Sequence, residues 1–330
     1  MLNVPGARSL VWAGGALVDV ANGWQTIPVD GSPPTRRYTE YGGCFDAAVV
    51  SPDGTVIALM STLGTKGLLL DADGRLLREV NRSFYHADAY RYPLTLFTLP
   101  DGRTGIVHCP EQYNRLEVED AVSGRRLTTS DRREPNDFFH SRLAVSPSGR
   151  YLLNAGWAWH PWDCLRVYDL VRALSEPTVL DSCGDVFDLH GVIQAEVSGA
   201  CFADDDIVVS TSPEQNEPEK PDDLAPNMMA RWSTTQRRFT WRRQLQQTAG
   251  DLVAIADGVV LSLYEHPRLY DAGTGELMYA WPDLRTGDAA GSIVPSRPVS
   301  GPARIAVDDR NHRFAVTDGD NIIVVSWSET

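Results

Sequence analysis

Cysteine is scarce in this chain and never paired: Cys44, Cys109, Cys164, Cys183 and Cys201 stand far apart, odd in number and without a CxxC spacing. Such a set excludes a disulfide framework and a thiolate zinc site, and reads as reduced, mostly buried thiols. Long apolar runs are missing too. No stretch approaches the ~18 consecutive apolar residues of a membrane span, so no membrane partner is expected. The opening Met1 to Arg8 has no charged segment leading into an apolar core, and the expected localisation is cytoplasmic.

Positive charge is also short. With 44 acidic against 30 basic residues the net charge is −14, a field that repels a phosphate backbone, and no nucleic-acid partner is expected. The one basic stripe, Arg237-Arg238-Phe239-Thr240-Trp241-Arg242-Arg243, reads as an outer strand whose arginines guard a sheet edge. Lysine occurs only at Lys66 and Lys220, a compositional habit that points to a GC-rich bacterial genome.

The common catalytic signatures are absent. There is no GxSxG elbow, no GxxxxGK[ST] loop and no dinucleotide fingerprint, so acyl and phosphoryl transfer have no support and no cofactor is expected. The seven histidines, His86, His108, His140, His160, His190, His266 and His312, include no HxH or HxxxH spacing, and no metal site is expected. The one route to such a site is a gathering of His86 and His140 near an axis. Asp204-Asp205-Asp206 and Asp318-Gly319-Asp320-Asn321 lack a calcium-loop pattern and read as hairpin turns. Helical periodicity is missing as well, and Leu170 to Leu174 has room for one turn at most.

What is present is a repeat. Short apolar strands end in a small or acidic residue at Leu17-Val18-Asp19, Leu69-Leu70-Asp71, Val118-Glu119-Asp120, Val167-Tyr168-Asp169, Arg231-Trp232-Ser233, Leu269-Tyr270-Asp271 and Val324-Val325-Ser326. The steps between their third residues are 52, 49, 49, 64, 38 and 55, each near the length of four strands and their turns. An offset repeat of turns joins each unit's first two strands, at Ser51-Pro52-Asp53-Gly54, Pro100-Asp101-Gly102, Ser146-Pro147-Ser148-Gly149, Asp204 to Asp206, Asp257-Gly258 and Asp308 to Asn311. Runs such as Thr55 to Leu59 and Ile207 to Ser210 fill the strand slots. The fold class expected is therefore all-β, a seven-bladed β-propeller of four-stranded antiparallel blades, with residues 1–330 as a single domain. Six blades with merged termini is the alternative. Closing the ring requires a strand from Leu2 to Val4 or a shared terminal strand.

With Tyr-Asp or Leu-Asp ending the third strands, the blades resemble those of WD40-like propellers, which often have Trp-Asp there. The resemblance covers nearly the whole chain and is architectural, because the regular Gly-His pair before each blade is lacking. It implies a scaffold role for His140, which occupies the slot where such blades often place a structural histidine bonded to Ser or Asp.

Function in a propeller sits in its loops, because connections between blades share one face with the loops joining each blade's second and third strands. Aromatics crowd four such loops here: Ser83 to Pro93, Cys109 to Asn114, Asn136 to Arg142 and Gly156 to Asp163. Exposed Trp, Tyr and Phe side chains are costly in water, so these loops either pack on themselves or are shaped for a ligand. The candidate binding residues are Tyr85, Tyr90, Tyr92, Gln112, Tyr113, Phe139, Trp157, Trp159 and Trp162, with several rings expected to be exposed on one side of the molecule.

The favoured reading is a non-catalytic interaction propeller for a protein or peptide. A small-molecule hydrolase, lyase or cyclase at the channel mouth is the alternative, drawing on His86, Glu111, His140, His160 and Asp163. The pairs His86 with Asp88 and His160 with Asp163 have spacings that let a carboxylate orient an imidazole. A ligand-binding sensor without turnover is the third possibility. The acidic, proline-rich stretch Ser212 to Asn227 reads as a mobile loop inserted in blade five, which accounts for the 64-residue step.

Overall fold

A computed structural model describes residues 1–39, 41, 44–159, 162–182, 186–188, 195–215, 224–255, 258–293 and 303–327. Each apolar run pairs antiparallel with the next along the chain, which is the outcome of short Pro-, Asp- and Gly-containing turns. Blade one comprises Leu10–Ala13, Ala16–Asp19, Gln25–Ile27 and Thr35–Arg36, and blade two Ala47–Val50, Val56–Met60, Lys66–Asp71 and Leu76–Asn81. Blade three has Leu94–Thr98, Thr104–His108 and Glu117–Asp120, with the single bridge Glu119 to Arg126 where a fourth strand would run. Blade four is Leu143–Val145, Tyr151–Asn154, Arg166–Asp169 and Phe187–Asp188, with a small extra hairpin of Trp157–Ala158 and Trp162–Asp163. Blade five is Ala195–Ala203, Asp206–Gln215, Met228–Ser233 and Arg238–Gln244, and blade six Leu252–Ile255, Val259–Ser262, Arg268–Asp271 and Leu277–Ala280.

Blade seven closes the ring. Ile305–Asp308, Arg313–Asp318 and Asn321–Ser326 are completed by Leu2–Asn3, which pairs with the third strand through Leu2 to Ile322 and Asn3 to Asn321. The chain is a seven-bladed β-propeller, and the terminal strand required by the open edge is the one from Leu2. Leu170–Ala173 forms the one helical turn its sequence allows, capped by Asp169. No helix among the described residues is long and apolar enough to cross a membrane.

Asp19, read as the same mark, ends the second strand of blade one rather than the third, but in the other blades the acidic residue ending the third strand has a local cause. Asp71 Oδ1 accepts from the amides of Asp73 and Arg75, Asp120 Oδ1 from Ser123, and Asp271 Oδ1 from Thr274. Each carboxylate ties the turn into the outer strand, a local bond that Asp favours. Ser233 accepts in the same way from Gln236.

Burial follows position in the blade. Second strands such as Val56–Met60, Thr104–His108 and Tyr151–Asn154 are buried along their whole length, so their sequences are continuous rather than alternating. Outer strands are largely exposed, and the arginine stripe falls on one of them, Arg238–Gln244. Among the described residues, seven apolar clusters fill the seven blade interfaces. Val11, Trp24 and Ile57 join blades one and two, for example, and Leu2, Leu10 and Ala315 join seven to one. Of the cysteines, Cys109 and Cys201 are buried, Cys164 is half-buried and Cys44 exposed, and Cys183 lies outside the described residues.

Candidate functional site

An eighth apolar cluster lies outside the blade interfaces, and it is built from the aromatic loops of blades two to four. Phe139 and Trp157 are joined by two backbone hydrogen bonds, 2.9 and 3.0 Å, which set their rings face to face at 3.8 Å with 7° between planes. Gly156 permits this approach, since a Cβ there would strike the Phe139 carbonyl. Tyr85 stacks over Phe139 at 5.9 Å and Trp159 over Trp157 at 6.2 Å, while Tyr90 meets Phe139 edge-on at 5.5 Å. Tyr113 leans on Phe139 at 4.5 Å, and its hydroxyl donates to Asp137 Oδ1 at 2.7 Å. Burial and that carboxylate raise its pKa to about 12.

The rings divide into a floor and a surface. Tyr90, Phe139 and Trp157 are at most 4% exposed, and Tyr92 is buried beneath the same loop. Phe84, Tyr85 and Trp159 are 85%, 44% and 55% exposed. The expectation that Tyr90 and Trp157 present exposed anchors is thus corrected: three loops converge above them and cover them. Gln112 is exposed at the rim, and Trp162 is half-buried on the small hairpin. His86, held at φ 52°, packs its ring between Tyr85 and Trp159.

The candidate catalytic groups are dispersed. Glu111 is exposed and ion-paired with Arg126 at 2.7 Å, which holds its carboxyl below the usual range. His140 is buried with both ring nitrogens engaged. Asn154 Nδ2 donates to Nδ1 at 2.7 Å, which leaves Nε2–H to donate to the Asn114 carbonyl at 3.0 Å. Asn154 Oδ1 in turn accepts from the Ser141 amide. Burial pushes the imidazole down to about 3, so it is neutral. His160 lies outside the described residues, as do residues 216–223 of the acidic loop.

Asp163 belongs to a different structure, a polar bar across the channel mouth. Its carboxylate accepts from the Ser292 amide at 2.9 and 3.0 Å and from the Ser292 hydroxyl, and it pairs with buried Arg142 at 3.3 Å. Ser292 lies on the connection from blade six to blade seven, so this segment straps the face as far as blade four. The next residue, Ile293, bridges to Tyr90. Nearby, Arg91 and Asp251 form an ion pair between blades three and six, and Arg304 and Asp46 pair at 3.5 Å between blades seven and two. Glu196 is half-buried beside them and accepts from the Asp163 amide at 3.1 Å. Burial, with Asp163 close by, pushes its carboxyl up to about 7.

Arg91, Arg142, Glu196, Asp251 and Ser292 were not singled out from the sequence. The usable signal was a charged residue at or just before an inner strand, as at Asp46, Arg142, Asp251 and Arg304.

No protein-family model matches the chain, and no curated protein does. Solved structures do. A chain of the mitotic checkpoint complex superposes with a TM-score of 0.62 at 11% identity, over 98% of this chain and 90% of that one. Hydrazine synthase of Kuenenia stuttgartiensis superposes with a TM-score of 0.61 at 12% identity, over 99% and 97%. Likeness at these identities shows the fold alone, the propeller described above.

Proposed function

We propose that this chain is a non-catalytic interaction propeller that binds a protein or extended peptide through the aromatic loop face of blades two to four. The observation that carries this reading is the one apolar cluster, among the described residues, that joins no pair of blades. Its buried rings make a rigid floor, and Tyr85, Tyr113 and Trp159 stand on it where a partner can reach them. Aromatic anchors set among water-excluding neighbours are the usual form of a binding hot spot. Covering one exposed ring removes apolar area from water at roughly 25 cal/mol per Å², so an anchor contributes about 2 kcal/mol. A structural neighbour drawn from a complex, the mitotic checkpoint complex, is compatible with such a role.

The test is a displayed peptide library selected on the wild-type protein and re-measured on Trp159→Ala and Tyr85→Ala. Selected peptides should lose about tenfold or more in affinity on these variants, whose melting temperatures stay near wild type. Peptides that bind the variants equally well would overturn the reading.

A small-molecule enzyme at the channel mouth has one observation in its favour, the carboxyl of Glu196 held near neutrality, as a proton-transferring group requires. The hydrazine synthase neighbour keeps this alternative in view. Turnover abolished by Glu196→Gln and retained by Trp159→Ala would establish it over the first reading.

A further inference from the structure

The exposed rings of blades two to four share their loops with charges of one sign. In Ser83 to Pro93, Cys109 to Asn114, Asn136 to Arg142 and Gly156 to Asp163, the exposed Asp, Glu and Arg side chains among the described residues are Asp88, Glu111 and Asp137, all carboxylates. The two arginines of these loops are engaged in the polar bar, Arg91 with Asp251 and Arg142 with Asp163. Glu111 is neutralised by Arg126 at 2.7 Å. Asp88 has no partner among the described residues, and Asp137 accepts there only from the Tyr113 hydroxyl.

Asp137 stands at one end of a continuous run of rings. Its Oδ1 accepts from the Tyr113 hydroxyl at 2.7 Å, Tyr113 meets Tyr85 at 4.9 Å, Tyr85 meets His86 at 4.4 Å, and His86 meets Trp159 at 6.0 Å. Tyr85, His86 and Trp159 are exposed and Tyr113 is half-buried, so the run is open to solvent. Asp88 lies on the turn that carries His86, where the Ala89 amide donates to the His86 carbonyl. A carboxylate can accept about four hydrogen bonds, so the single bond from Tyr113 leaves Asp137 able to take a cation. The faces of phenol and indole rings attract a cation as well. An acidic segment would be repelled by the same carboxylates and by the net charge of −14.

We propose, resting on the reading of this face as a peptide-binding surface, that the segment it binds is basic and presents an arginine, whose side chain lies on the Tyr113 and Tyr85 rings with its guanidinium paired to the Asp137 carboxylate. Arginine suits the position better than lysine, because its planar guanidinium stacks on an aromatic face and also pairs with a carboxylate through two parallel N–H groups. Asp88, on the His86 turn, adds to the attraction for a basic chain.

A displayed library of random linear peptides, selected on the intact wild-type protein, supplies the probes. Selected peptides should share an arginine, and its replacement by citrulline, which keeps the shape and removes the charge, should weaken binding by about tenfold. Asp137→Asn keeps an acceptor for the Tyr113 hydroxyl and removes the carboxylate charge. It should weaken the arginine peptide by about fivefold and the citrulline peptide by less than about twofold, the coupling expected of two groups in contact. Peptides that lose affinity on Trp159→Ala yet share no arginine, or that bind Asp137→Asn as tightly as wild type, would overturn the basic partner and leave the aromatic face standing. A selection without binders, or peptides that bind Trp159→Ala and Tyr85→Ala unchanged, would overturn both.

Discussion

Arg91 and Asp251 meet in an ion pair although 160 residues separate them, because each stands just ahead of the innermost strand of its blade. Blades three and six lie on opposite sides of a seven-membered ring, so the pair spans the axis. Both side chains are about one quarter exposed. Arg91→Ala and Asp251→Ala should each cost about 1–2 kcal/mol in urea unfolding, and the double variant about 1 kcal/mol less than their sum. Strictly additive losses would show that the pair contributes nothing.

The strap depends on Ser292. Removing its hydroxyl with Ser292→Ala withdraws one hydrogen bond from the buried Asp163 carboxylate, a change expected to cost about 1–3 kcal/mol. Hydrogen exchange should quicken at Gly291 and Ile293, while exchange in the second strands of the blades stays slow.

Floor and surface rings should separate cleanly under mutation. Trp157→Ala or Phe139→Ala empties a buried stack and should cost about 3–5 kcal/mol, with a large fall in melting temperature. Trp159→Ala, at 55% exposure, should change stability by less than about 1 kcal/mol. A large destabilisation from Trp159→Ala would mean that the ring serves packing rather than recognition.

His140 and Glu196 predict opposite dependences on pH. The folded pKa of His140 is depressed from 6.5 to about 3, so the unfolded chain binds the extra proton on acidification. Its contribution is complete above about 6.5 and is lost toward 3, at about 1.4 kcal/mol per pH unit. His140→Gln should flatten the acid limb of a stability curve measured by denaturant titration.

For Glu196 the folded pKa is raised from 4.5 to about 7. The folded state then holds the extra proton, so this contribution is complete below about 4.5 and fades as pH rises through 7. Glu196→Gln should make the protein relatively more stable near pH 8, discounted for the partial exposure of the site. An unchanged stability difference across that range would place the Glu196 pKa at its ordinary value.

Much of the fold was legible locally. Asp71, Asp120 and Asp271 mark third strands because the turn that follows leaves backbone amides two to four residues on that need an acceptor, and that need is written into the local sequence. The short helical turn at Leu170 was legible for a similar reason, whereas His140, which the resemblance would bond to Ser or Asp, bonds Asn154 and the Asn114 carbonyl instead. The aromatic loops could be assigned to one face from chain order alone. Which rings remain exposed could not, because Tyr90, Phe139 and Trp157 are covered by loops from three blades and from the strap.

The sequence by itself determined the strand repeat and the turn chemistry and favoured seven blades, since these depend on residues within about one blade of one another, whereas the strand that closes the ring was decided by the pairing of Leu2 with Ile322. Only the tertiary structure decided that Asp163 serves the strap, that Arg91 finds Asp251, and that the guanidinium of Arg82 is buried between two tyrosine rings. Burial and charge pairing across the axis are set by ring closure. Closure brings together inner-strand ends more than a hundred residues apart, a proximity that no local spacing encodes.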